Sequence, residues 1–135
     1  MGYELREHTA DVAVEATGET LSAVFEAVAD GLAAAMCDRI PEGGERFRFT
    51  VRAEGREALL FDYLDQLIYE RDVRDVLPVD TDVTVRQDDD WVAAASARGV
   101  PLEAVDAREI KAVTYSEMDL SRTDGGWHAY VVFDV

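Results

Sequence analysis

The chain has 135 residues, 48% of them apolar, which fits one ordinary domain, residues 1–135, with enough apolar material for a core. Its 29 acids against 13 bases leave a formal charge of −16, a balance that repels nucleic acid and speaks against a freestanding RNA or DNA binder. No stretch has the apolar length of a membrane span, and the start, MGYELREHTA, lacks the basic-then-apolar block of a secretory signal.

YELRE at 3–7 reads as a short strand, and VAVEAT at 12–17 alternates as a half-buried strand does until Gly18 breaks it. Thr20 is placed to cap a helix, and Leu21, Val24, Phe25, Val28 and Leu32 then form one stripe at helical spacing, to about Met36. Pro41 to Gly44 is a loop signal, and Phe47, Phe49 and Val51 mark the next strand. A second helix starts near Arg56, with Leu60, Tyr63, Leu64, Leu67 and Ile68 on its stripe, and ends near Val73. Residues 79–87 and 91–99 are strands flanking a turn at Asp88–Asp90; 110–120 is extended; Thr123 to Gly126 is a turn; and WHAYVVFDV closes the sequence as a strand. There is no internal repeat. Two amphipathic helices and about seven strands predict an α+β fold, a two-layer sandwich with both helices packed on a mostly antiparallel sheet.

The acids are spread along the chain and do not gather in a tail, and only Lys111 breaks the use of Arg as the base. That pattern suits a surface adapted to a salt-rich cytoplasm, where screening shortens the reach of self-repulsion. Cys37 excludes an internal disulfide and, at the end of an apolar helix, reads as a small buried hydrophobe. Arg6 stands where a myristoylation motif needs Ser or Thr. There is no phosphate-binding loop, nucleophile elbow or metalloprotease helix, and Asp88–Asp90 lacks the spacing of a calcium loop.

Two places stand out from the acidic background. Asp134 adjoins Val135, whose α-carboxylate ends the sequence; neighbouring carboxylates repel unless a cation joins them, and a hard divalent ion would suit such oxygens, although a solvated strand end is the simpler explanation. Lys111 is explained equally by a site that needs a compact point charge and by chance retention. Asp11 alone reads as a turn residue before a strand, His8 as a hydrogen-bonded structural histidine, and His128 has no local company and receives no role.

HTADVAVEA near the start, LSAVFEAVADGLAAAM in the first helix, IKAVTY at 110–115 and the final VVFDV together resemble the archease family, in order and over essentially the whole chain. The resemblance implies an accessory protein of the tRNA-splicing RNA ligase that joins 3′-phosphate or 2′,3′-cyclic-phosphate ends to 5′-hydroxyl ends. Such a protein promotes GTP-dependent guanylylation of the ligase's active-site histidine, and so multiple turnover, without being a catalyst itself. It also implies a divalent metal ion (Ca²⁺, Mn²⁺ or Mg²⁺) bound by Asp11 and Asp134, with an oxygen of Val135 as a further ligand; a role for Lys111 in ligase activation; and a supporting role for His8. A cytoplasmic protein with a protein partner, no direct nucleic-acid contact and no membrane is expected.

The sequence departs from the family pattern at three points. Ala13 stands where Gly is common, Ser116 where a His often follows the tyrosine, and 101–109, PLEAVDARE, lacks an upstream histidine. A histidine-based mechanism is therefore not expected. Two other functions compete: a chaperone-like binding module, which needs an exposed apolar patch, and a metal-dependent hydrolase, which lacks a clear general base here.

Overall fold

The computed structural model describes residues 2–7 and 11–135. Seven strands and two long helices run in the order β1 (Gly2–Glu7), β2 (Asp11–Gly18), α1 (Leu21–Met36), β3 (Glu45–Ala53), α2 (Arg56–Arg74), β4 (Val76–Asp88), β5 (Asp90–Pro101), β6 (Ala112–Thr123) and β7 (Gly126–Asp134). A short 3₁₀ turn, Leu102–Ala104, precedes β6. The fold is an α+β sandwich, and its strands divide into two antiparallel sheets: β1-β2-β7-β6 and β3-β5-β4.

Both helices touch strands of both sheets, α1 meeting β1, β2, β7 and β4, and α2 meeting β3, β4, β5 and β6. This explains why α1 is buried beyond one stripe, including Ala27, Ala29, Gly31, Ala33 and Ala35. The small residues let it sit close to its neighbours. A methyl group added at Gly31 would lie 2.5 Å from Val14 Cγ1 and 3.2 Å from the Tyr3 ring. Thr20 caps α1 as its position predicts, its Oγ1 accepting from the Ala23 N–H at 3.0 Å.

The core is one continuous cluster centred on aromatic contacts. Tyr63 of α2 lies 5.3 Å from Phe25 of α1 and 6.1 Å from Phe49 of β3, centroid to centroid. At one end the sheets are joined by a cation–π clasp. The guanidinium of Arg56 lies 5.6 Å from the Trp91 ring of β5 and 5.1 Å from the Trp127 ring of β7.

Candidate functional site

Alternation along a strand places β2 residues 12, 14 and 16 toward the core and 11, 13, 15 and 17 on the outer face of the four-stranded sheet. The same rule puts His128, Tyr130, Val132 and Asp134 of β7 on that outer face. Registered pairs share a face, so the pairing of β2 with β7 brings Asp11 directly opposite Asp134. Asp134 also registers with Ala112 of β6, and its carbonyl accepts the Lys111 N–H at 2.8 Å. The two aspartates and Lys111, more than a hundred residues apart at the extremes, therefore meet at one end of one sheet.

Asp11 is half-buried, with Oδ1 shielded from solvent, whereas Asp134 and Lys111 are exposed. Val135 follows β7 and is 40% exposed. His8 lies outside the described residues, as do Thr9 and Ala10. Directly opposed like charges on a strand pair are destabilising. A cation would reverse the sign of that interaction, and carboxylate oxygens are the donors hard divalent ions prefer. Among the described residues no three His, Cys, Asp or Glu side chains are grouped to hold a metal. A metal ion held here would have Asp11 and Asp134 as side-chain ligands and would need main-chain oxygen, water or a partner for its other positions.

The approach to Lys111 is held by a residue absent from the sequence reading. Arg71 of α2 is only 7% exposed, and its guanidinium donates to the Ile110 carbonyl at 2.6 Å. It also reaches Met36 Sδ at 3.6 Å and Asp72 Oδ1 at 2.9 Å. A buried guanidinium on a carbonyl is a strong tether because its charge would otherwise be desolvated without a partner. It fixes the main chain one residue before Lys111.

Further along the outer face, His128 has partners that sequence spacing hid. Its Nε2 lies 2.9 Å from Glu15 Oε2 and its Nδ1 3.0 Å from Asp119 Oδ2. Glu15 and Asp119 both register with Tyr130, from β2 and β6, so the histidine bridges three strands. The hydrogen bond to Glu15, helped by Asp119, raises the imidazole above its ordinary value of 6.5, against the opposing effect of burial. The only sequence signal was alternation, which assigns a face but not a neighbour. The β6 irregularity between Thr114 and Asp119, with Glu117 at φ 56°, sets which β6 residue lies near His128, and nothing local announces it.

Comparison with known proteins is consistent along the whole chain. The archease protein family matches residues 3–135. The archease of Methanosarcina mazei is 34% identical, the match covering 98% of this chain and 95% of that one. The archease of Pyrococcus furiosus is 33% identical, covering 98% of each. The solution structure of Methanobacterium thermoautotrophicum protein 1598 superposes with a TM-score of 0.82 at 30% identity over 99% of both chains. An archease structure from Thermotoga maritima, described as a possible chaperone, shares the fold with a TM-score of 0.66 at 22% identity.

Proposed function

The chain belongs to the archease family, and we propose that it activates a tRNA-splicing RNA ligase, promoting guanylylation of the ligase's active-site histidine and multiple turnover. The observation that carries the reading is the direct opposition of Asp11 and Asp134, with Lys111 hydrogen-bonded through its N–H to the Asp134 carbonyl. In this reading Asp11, Asp134 and an oxygen of Val135 hold a divalent cation, which supplies charge neutralisation for a triphosphate or its leaving group. Two carboxylates do not saturate such an ion, so a partner's groups have room to share it. Lys111 adds an exposed point charge at the same end. The protein supplies ligands and charge and leaves covalent chemistry to the ligase. A cytoplasmic location follows from this role, and no described helix is long and apolar enough to cross a membrane.

The test is the cognate ligase at substoichiometric amount with GTP, Mn²⁺ and RNA carrying the two end types. Wild-type protein is expected to convert one turnover into many. Asp11→Ala is expected to abolish the gain, and Lys111→Ala to reduce it, with circular dichroism unchanged. No gain from the wild-type protein contradicts the reading.

A second reading, a chaperone-like binding module, is favoured by apolar side chains left in solvent. Tyr115 is 56% exposed and stacks on Phe61 at 4.1 Å, and Tyr69 and Val73 of α2 are 55% and 57% exposed. Suppression of client aggregation that survives Asp11→Ala but not Tyr115→Ser would support it.

A further inference from the structure

The outer face of the three-stranded sheet has a charge unlike the rest of the molecule. Alternation puts Phe47 and Phe49 of β3 inward and Arg46, Arg48 and Arg52 outward, and registration aligns these three with Arg98, Ser96 and Val92 of β5. Arg86 of β4 registers with Val92 on its other side. Five of the chain's twelve arginines therefore share one sheet face, where they meet four aspartates: Asp80, Asp82, Asp88 and Asp90. In a chain of formal charge −16 this is a local excess of positive charge. Among the described residues no helix lies over it; α1 reaches only the β4 edge, where Glu26 and Ser22 accept the Val83 and Val85 N–H groups.

The face has relief. Thr50, Ala94 and Thr84 register across the three strands, with Ser96 beside them. These short side chains floor an open trough of about 300 Å³, with Arg48 and Asp82 at its rim. Val92 is 1% exposed although it points outward, which the aliphatic stems of Arg52 and Arg86 on either side explain. The arginines are held to different degrees. Arg98 is fixed by Asp80 at 2.7 Å and by the carbonyls of Pro41 and Gly43. Arg86 sits 3.0 Å and Arg52 3.6 Å from Asp88. Arg46 donates to Ser96 Oγ and the Asp80 carbonyl, not to a carboxylate. Arg48 is exposed and makes no hydrogen bond or ion pair among the described residues.

We propose that this face is a docking surface for an acidic, extended segment of a partner protein, laid across the Thr50–Ala94–Thr84 floor with its carboxylates on Arg48, Arg52 and Arg46. Guanidinium forks match carboxylates in pairs, and the short floor lets a peptide backbone approach closely. A nucleic acid fits less well. Among the described residues the face carries no aromatic ring on which a base could stack. Three strands also span only about 10 Å, comparable with the screening length of roughly 8 Å at physiological salt, so a long polyanion would run past the patch into the acidic remainder of the surface. The inference is independent of the ligase reading: it concerns the other sheet, and its test is direct binding.

The experiment is fluorescence anisotropy of a labelled oligoglutamate peptide, with a single-stranded RNA oligonucleotide of equal charge as the second probe. Both are titrated at the lowest salt at which circular dichroism shows the protein folded. The wild type is expected to bind oligoglutamate saturably and the RNA more weakly. Arg48→Gln combined with Arg52→Gln is expected to weaken oligoglutamate roughly tenfold or more. Arg108→Gln, remote from this face, is expected to leave it unchanged. Absence of oligoglutamate binding by the wild type, or equal binding by the double variant, overturns the proposal. Tighter binding of the RNA overturns the assignment to a protein segment and makes the face a phosphate-binding one.

Discussion

Asp11 and Asp134 stand directly opposite each other on β2 and β7, on the solvent-facing side of the four-stranded sheet. Opposed like charges weaken a strand pair by a few tenths to about 1 kcal/mol. In chelator, Asp134→Asn is expected to raise the melting temperature slightly; with Mn²⁺ added, the wild type is expected to gain stability and the variant is not. Differential scanning calorimetry with and without Mn²⁺ checks both signs, and a lower melting temperature for the variant in chelator would count against repulsion at this position.

His128 makes stability depend on pH in a predictable direction. Its folded-state pKa is raised by hydrogen bonds to Glu15 and Asp119, so the protonated ring favours the folded state. That contribution is complete below the ordinary value of 6.5 and is lost as pH rises through the raised folded value. Melting temperatures measured from pH 6 upward are expected to fall in this window, and His128→Gln is expected to flatten the fall. Proton NMR of the His128 ring gives the same answer at the residue itself.

How much of this was legible from the sequence varies with the distance over which the signal acts. The periodicity of Leu21 to Leu32 and the cap at Thr20 are local, and α1 runs Leu21–Met36 as they predict. All seven strands also lie where the sequence predicts strands or extended runs, with ends that differ by a few residues. Their division into two sheets was not legible, because alternation assigns a face to a residue but not a neighbour to a strand. The meeting of Asp11 with Asp134 required the first and last parts of the chain to pair, which the family resemblance implied and periodicity could not. His128 was missed because its partners come from β2 and β6, the latter through an irregular stretch. Arg71 was missed because a buried arginine reads like any other base on an amphipathic helix.

Gly31 tests how tightly α1 is seated on the sheet. Alanine has the better helix propensity, by about 1 kcal/mol, but its methyl group would lie 2.5 Å from Val14 Cγ1. Overpacking of this kind costs about 1–3 kcal/mol, so Gly31→Ala is expected to destabilise the protein by about 1 kcal/mol. Adding Val14→Ala is expected to cost less than the sum of the two single changes. Urea denaturation of the four proteins in the cycle measures the coupling, and strict additivity would show that the methyl group is accommodated elsewhere.

Arg56 links the two sheets through the only two tryptophans of the chain. Arg56→Ala is expected to cost roughly 1 kcal/mol by removing two cation–π contacts. It is also expected to change tryptophan emission, since both fluorophores lose the same neighbour. An unchanged spectrum would mean that the clasp does not persist in solution.

In the proposed function the opposed carboxylates of Asp11 and Asp134 form one cation site. Isothermal titration of Mn²⁺ into wild-type protein, Asp11→Asn and Asp134→Asn tests it most directly. One saturable site in the wild type, lost in both variants while their folded-state spectra are retained, is the predicted result. Binding that survives either substitution, or a wild type that takes up no Mn²⁺, would contradict it.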